Sequence, residues 1–468
     1  MRNFLTGNYF AYLLILLIGI SIATLANFNE VCLGGPDNYW HYYFSKYAFQ
    51  YPKFFLHHWG KPFFILLSAP VSQLGFYALN IFNIICGLLS ALLAYNWCKK
   101  LNLGYSFMAI VIVMFTPIYF TAIQSALTEP LFSLLLIYSA YLLFFEKYLW
   151  GTMVASTLMY ARSEGIFIIL IFAIYLIISG KYKYIPLLAT AFLAYSFIGF
   201  FSGHDFLWYF SENPYKAVSP YGHGTWMHFI SSYKSVFGKT FYLLFLIGFV
   251  ILMTKIVRTK QYYFWKERGT EFKIFCLVFV PSLMFFIFHV YEWAQGKYAS
   301  AGELRVMACI IPLASVITMF GINLIHRLKF PFIRIVFLMI IIQSIFHYTF
   351  KNYQYPAKAQ GSEKAEIQAA EWFKTYRKPN SLIYYAHPGI IFHCDYNPFD
   401  LNNKECFSFG DVNSDTLYKN RKCYYIWDSQ FSEFSCQTKL ADIENNKAFT
   451  KIKEFNVDYF KLVFFESK

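Results

Sequence analysis

Residues 9–27 read YFAYLLILLIGISIATLAN, an apolar run without one charged side chain. About 20 such residues suffice to cross a bilayer as a helix, where no water is present to satisfy an open backbone. Further apolar segments fall at 76–97, 105–123, 128–146, 149–162, 165–180, 184–202, 240–257, 273–290, 304–324 and 333–350. None shows the strict alternation of a half-buried strand, so the pattern predicts eleven membrane-spanning helices. A shorter stretch, 63–74, follows Pro62 and reads as a re-entrant or interfacial helix.

The composition agrees. Of 468 residues, 57% are hydrophobic, 22% aromatic and only 14% charged, where a soluble domain carries about 25% charged residues. The formal charge of +14 does not point to nucleic acid, because the basic residues sit in short loops between apolar runs. Such loops set topology. With Met1 inside, the inner loops hold Arg2, Lys99, Lys100, Lys147, Lys181, Lys183, Lys255, Arg258, Lys260, Lys266, Arg268, Lys273, Arg327, Lys329 and Arg334. The longer outer loops hold fewer: Lys46, Lys53, Lys61, Arg162, Lys216, Lys234, Lys239, Lys297 and Arg305. Arg2 precedes the first run and no small-residue cleavage site closes it, so that run reads as a signal anchor. An odd number of spans then places the tail outside.

The sequence divides at 354/355. Residues 1–354 read as the transmembrane domain, with a first outer loop at 28–62. Residues 355–468 read as a small extracytoplasmic α/β domain. That tail holds helix-like EKAEIQAAEWFKTY and strand-like SLIYYA, KCYYIWD and VDYFKLVFF, separated by the turn signals HPG and YNPFD. Outside the membrane, two disulfides among Cys394, Cys406, Cys423 and Cys436 are expected. Their spacing lacks the close pairs of a zinc knuckle.

The polar residues collect on the predicted outer side. The first outer loop, GGPDNYWHYYFSKYAFQYPKFFLHHWGKP (34–62), supplies Asp37, His41, Lys46, His57, His58 and Lys61. Residues 124–130, QSALTEP, supply Glu129. The turn ARSEG (161–165) supplies Arg162 and Glu164. The loop 203–238 contains His204 and His223, and the turn 291–305 carries Glu292, Lys297, Glu303 and Arg305. The middles of the spans are almost free of charge. Ion-coupled transporters place ionisable groups near the midplane. A polar, aromatic-rich cap suits instead a substrate with its tail in lipid and its head in water.

This layout resembles the GT-C superfamily of polyprenyl-phosphate-sugar-dependent glycosyltransferases, which includes the dolichyl-phosphate-mannose mannosyltransferases and their bacterial relatives. The resemblance rests on the aspartate soon after the first span (GGPDNYWH), HHWGKPFF before the second, LTEPLF opening a span, ARSEG in a tight outer turn, and GELRVMACIIP opening a late span. It covers about residues 9–350. It implies an all-α polytopic membrane enzyme, a hexosyltransferase of the cell envelope, that transfers a sugar from a polyprenyl-phosphate-linked donor with inversion. The acceptor is an unidentified glycan, lipid or protein at the outer face.

In that reading Asp37 is the general base, because transfer to a hydroxyl or amine needs one and a partly desolvated carboxylate is the more basic. Arg305, Arg162, Lys61 or His58 binds the lipid phosphate. Glu129 and Glu164 orient those cations or hold sugar hydroxyls. Glu303 and His223 complete the expected substrate-binding set, His223 because it stands between glycines that let backbone approach a ligand. The family often has two adjacent acids in the first loop. Here Asn38 follows Asp37, so no metal ligand is assigned and a divalent metal stays open.

Plainer readings exist for each residue. Asp37 is a good helix N-cap, Glu129 a good first-turn carboxylate, and arginines at span ends snorkel to the interface. The alternatives to a transferase are a flippase or transporter, a polymerase or ligase of lipid-linked glycans, and a scaffold. Residue usage rich in Lys, Asn, Tyr and Phe favours a bacterial inner membrane over an endoplasmic reticulum.

Overall fold

The computed structural model describes residues 8–215, 217–258, 269–352, 354–405 and 421–468. Arg2, Lys216, Lys260, Lys266, Arg268 and Cys406 lie outside the described residues. The chain is a mostly helical, multi-pass integral membrane protein followed by a C-terminal mixed β-sheet. It forms two compact units, one of residues 1–28 and 44–355, the other of residues 29–43 and 356–468. The second unit therefore includes part of the loop that the sequence reading keeps with the transmembrane domain.

Seven described helices are long and apolar enough to cross a membrane: Asn8–Asn27, Phe76–Lys100, Tyr182–Phe201, Lys239–Arg258, Thr270–Gln295, Leu304–His326 and Pro331–Lys351. Pro62–Ser72, Glu129–Phe144 and Gly165–Ile178 are shorter apolar helices. The eleven expected spans are thus not eleven unbroken helices. Residues 105–123 split into Met108–Met114 and Pro117–Ala122. Pro117 has no N–H to give and drives Thr116 into extended backbone at φ −70°, ψ 128°. The Thr116 hydroxyl turns back to the Ile112 carbonyl at 2.6 Å, and both pieces are buried in protein, where a broken helix is tolerated. Residues 149–162 likewise divide into Tyr148–Ser156 and Leu158–Ala161.

Among helices in lipid, close packing replaces the hydrophobic effect as the cohesive force. The central helix Leu304–His326 is almost wholly buried. It meets Lys239–Arg258 through glycines: a Cβ on Gly248 would stand 2.0 Å from the Ile317 carbonyl oxygen, and one on Gly321 2.7 Å from that of Leu244. Backbones approach this closely only where both positions lack a side chain.

The described part of the C-terminal sheet has five strands, β1 (Leu382–Tyr385), β2 (Asn403–Glu405), β3 (Cys423–Asp428), β4 (Phe449–Val457) and β5 (Phe460–Ser467), in the order β2-β1-β3-β5-β4. β1 is parallel to β2 and β3, and β5 is antiparallel to β3 and β4. Every residue of β1 and β3 is buried, which is why they read as unbroken apolar and aromatic runs. β4 is a sheet edge and carries Lys451, Lys453 and Glu454, charges that deter pairing with another chain. Helix Gly361–Tyr376 covers the sheet, with Phe373 against Tyr424 and Phe464 at 5.2 and 5.1 Å between ring centroids. Cys436 is disulfide-bonded, whereas Cys394 and Cys423 are buried thiols outside any disulfide. Of the two disulfides expected among the four tail cysteines, the second is therefore not formed.

Candidate functional site

In the first unit, the ends of four separate helices deliver charge to one cluster. Glu129 opens helix Glu129–Phe144 just before Pro130, where a missing proline N–H costs nothing. Arg162 and Glu164 occupy the turn between Leu158–Ala161 and Gly165–Ile178. That turn is tight: a Cβ on Gly165 would fall 2.3 Å from the Leu158 carbonyl carbon, so glycine alone fits. His289 and Glu292 stand one turn apart near the end of helix Val280–Gln295, on the same face. Gly296, at φ +58°, ends that helix in the left-handed conformation. Arg305 lies in the first turn of the segment Leu304–Ile310.

The side chains form a chain of contacts. Arg162 forks between two carboxylates, with Nη1 2.8 Å from Glu129 Oε1 and Nη2 2.9 Å from Glu164 Oε1. Arg305 Nε lies 3.8 Å from the same Glu129 oxygen. His289 bridges the other two acids, with Nδ1 3.1 Å from Glu292 Oε2 and Nε2 3.4 Å from Glu164 Oε1. The longer of these is a charge contact and not a formed hydrogen bond. Glu129, His289 and Glu292 are buried. Burial alone would raise the Glu164 carboxyl, but Arg162, His289 and Lys61 outweigh it and hold the group at about 2.

Lys61 comes to the same turn from the first loop. It takes φ +66° ahead of Pro62, a strained conformation for a side-chain-bearing residue, and the Gly60 N–H is held by His57 Nδ1 at 2.9 Å. Its buried ammonium donates to Ser163 Oγ at 2.9 Å and to the Tyr215 hydroxyl at 2.6 Å. Burial draws it below the ordinary lysine range, with the charges of Tyr209 and Glu164 opposing.

Glu129, Arg162, Glu164, Lys61 and Arg305 meet in one place. His58 is turned elsewhere: its Nε2 donates to the Tyr209 carbonyl at 3.0 Å and its ring stacks on Tyr209 at 4.4 Å. Burial, helped by Lys61, pushes it down to about 4, so it is neutral at pH 7. His223 and Glu303 are exposed, and among the described residues no ion pair joins them to the cluster. Asp37 belongs to the second unit, as the first residue of helix Asp37–Lys46. Sequence reasoning missed His289, because it stands inside a stretch counted as membrane span. An ionisable residue within a span, followed three residues later by an acid, was the signal available.

Three buried atoms of the cluster make no hydrogen bond among the described residues: Arg162 Nε, Glu129 Oε2 and His289 Nε2, the last only in charge contact with Glu164. Among the described residues no group of three or more His, Cys, Asp or Glu side chains is arranged to hold a metal ion, and each acid here faces a cation or an imidazole.

No known protein-family model matches the chain, and no curated protein matches it in sequence. Solved structures do match in fold. The fold is shared with ArnT. ArnT from Cupriavidus metallidurans bound to undecaprenyl phosphate superposes with a TM-score of 0.63 at 9% identity, over 98% of this chain and 98% of that one. Its apo state gives 0.66 at 10% identity, over 97% of each.

Proposed function

We propose that this chain is a membrane glycosyltransferase that takes a sugar from a polyprenyl-phosphate-linked donor and transfers it, with inversion, to an acceptor at the outer face of its membrane. The observation that carries the reading is the buried cluster of Lys61, Arg162, Arg305 and three glutamates at one end of an apolar helix bundle. The ArnT fold supports it, since that protein was crystallised with undecaprenyl phosphate.

The geometry supports the following chemistry. Lys61 uses two of its three donors on Ser163 and Tyr215, which leaves one N–H for the donor phosphate. Arg305 adds a second positive charge at the rim. As the glycosidic bond breaks, charge accumulates on the departing lipid phosphate, and fixed cations in a water-poor site stabilise that charge more than water does. Arg162 is held by Glu129 and Glu164 and offers Nε. Glu129 Oε2 accepts from a sugar hydroxyl. Asp37, partly buried at the start of its helix, takes the proton of the acceptor nucleophile. The C-terminal domain lies outside in this reading, and the membrane is the bacterial inner membrane.

The test is Asp37→Asn in purified protein, followed by release of polyprenyl phosphate from a labelled lipid-linked sugar. Loss of a general base lowers turnover by about 100-fold or more. Unchanged turnover removes Asp37 as the base.

A further inference from the structure

Within the second unit, residues 29–43 are fastened to the C-terminal domain at two places. The first is a short exchange: Glu30 N–H donates to the Ala357 carbonyl and Ala357 N–H to Asn29 Oδ1, each at 2.9 Å, and Lys358 pairs with Glu30. The second is one carboxylate oxygen. Glu363 Oε1 accepts from Cys32 N–H at 2.6 Å and from the Tyr39 hydroxyl at 2.9 Å. The Tyr39 ring packs on Phe392 at 4.4 Å.

Cys32 and Tyr39 stand on either side of Asp37. Between them the chain turns through Gly34 and Gly35, at φ +103° and +80°, and then enters the helix at Asp37. A glycine pair gives this loop wide conformational freedom. Asn38 Nδ2 already ties the turn to the Leu33 and Gly35 carbonyls; by gripping both ends with one atom, Glu363 anchors that turn to the C-terminal domain and removes more of its freedom.

We infer that Glu363 of the C-terminal domain is a positioning residue for sugar transfer, acting by stapling Cys32 to Tyr39 and so fixing where Asp37 stands. This rests on the proposed role of Asp37 as base. It gives the C-terminal domain a part in turnover although it supplies no reacting group.

A pH dependence comes with this geometry. Burial pushes the Glu363 carboxyl up to about 7, with the bonds from Cys32 and Tyr39 opposing, Glu366 on its own helix raising it further and His387 lowering it. His393, whose Nε2 is 3.5 Å from the Tyr39 hydroxyl, is held down at about 4 by burial and by His387. It therefore stays neutral through the window in which Glu363 titrates. Above pH 7 Glu363 is charged and its two bonds are charge-assisted; below, it is a neutral and weaker acceptor.

The experiment compares Glu363→Ala, Glu363→Gln and Tyr39→Phe in the purified full chain, with a labelled lipid-linked sugar as donor. Both kcat and KM are followed on either side of pH 7. Glu363→Ala lowers kcat by about 10- to 100-fold, the scale of a misplaced catalytic group, with KM for the donor little changed. Glu363→Gln keeps an acceptor oxygen, so it recovers most of kcat but loses the inflection near pH 7. Tyr39→Phe combined with Glu363→Ala is no worse than Glu363→Ala alone. If Asp37→Asn abolishes turnover while Glu363→Ala matches wild type in kcat and pH profile, the staple is refuted and the base survives. If Asp37→Asn turns over normally, the base itself is refuted. Should Glu363→Ala not fold, a wild-type pH profile in Glu363→Gln overturns the inference.

Discussion

Arg162 Nη1 and Glu129 Oε1 meet at 2.8 Å, in a pair whose carboxylate is 2% exposed. The contact ties the tight turn after Ala161 to the first residue of another apolar helix. It also fixes the plane of the guanidinium, because the second terminal nitrogen is already engaged by Glu164.

Removing one partner strands the other. Arg162→Met leaves Glu129 buried with only the more distant Arg305, and a broken buried pair costs about 3–5 kcal/mol. Thermal unfolding in detergent reports the loss. Arg162 also holds Glu164, so replacing all three, Arg162→Met with Glu129→Leu and Glu164→Gln, recovers most of the stability but not the turnover. A triple variant that is as unstable as the single one would show that packing, and not the stranded charges, set the cost.

The glycine contact between the two long helices gives a second expectation. Gly248→Ala places a methyl group 2.0 Å from the Ile317 carbonyl oxygen, and backbone there cannot yield as a flexible side chain can. Overpacking of this kind costs about 1–3 kcal/mol. A melting temperature equal to wild type in the same detergent would refute the close approach.

Lys61 gives a third. In the proposed mechanism its charged form holds the donor phosphate, and burial lowers the pH at which that charge is lost. Binding of undecaprenyl phosphate, used as a probe, therefore weakens on the alkaline side before the ordinary lysine range of about 10.4 is reached. Lys61→Arg carries its charge to higher pH and shifts the decline upward; Lys61→Met weakens binding throughout. Wild-type binding that stays level until the ordinary lysine range contradicts the buried ammonium.

Much of this was legible in the sequence, for identifiable reasons. Glu129, Arg162, Glu164 and Arg305 stand at the ends of apolar runs, where a charge is conspicuous. Lys61 stands out in the same way before Pro62. His289 was hidden, because averaging over a window dilutes one imidazole among Phe285, Phe286, Ile287 and Phe288. The break at Thr116 was hidden for a related reason: hydropathy sums side chains and ignores dihedral angles, although Pro117 marked the place. In the tail, β1, β3 and β5 were readable as apolar runs. β4 was not, since an edge strand alternating Lys451, Lys453 and Glu454 looks like solvated loop. The division of the first loop was beyond the sequence altogether, because only tertiary contact assigns residues 29–43 to the C-terminal domain.

That last feature bears on how the protein can be altered. A chimera that exchanges residues 356–468 for those of a relative, and leaves 29–43 native, joins a foreign surface to a hook shaped for Glu363, Ala357 and Phe392. Inheritance has to treat the two stretches as a single part, so substitutions accepted in one should be matched in the other. Grafts respecting that linkage are the ones expected to yield working enzymes.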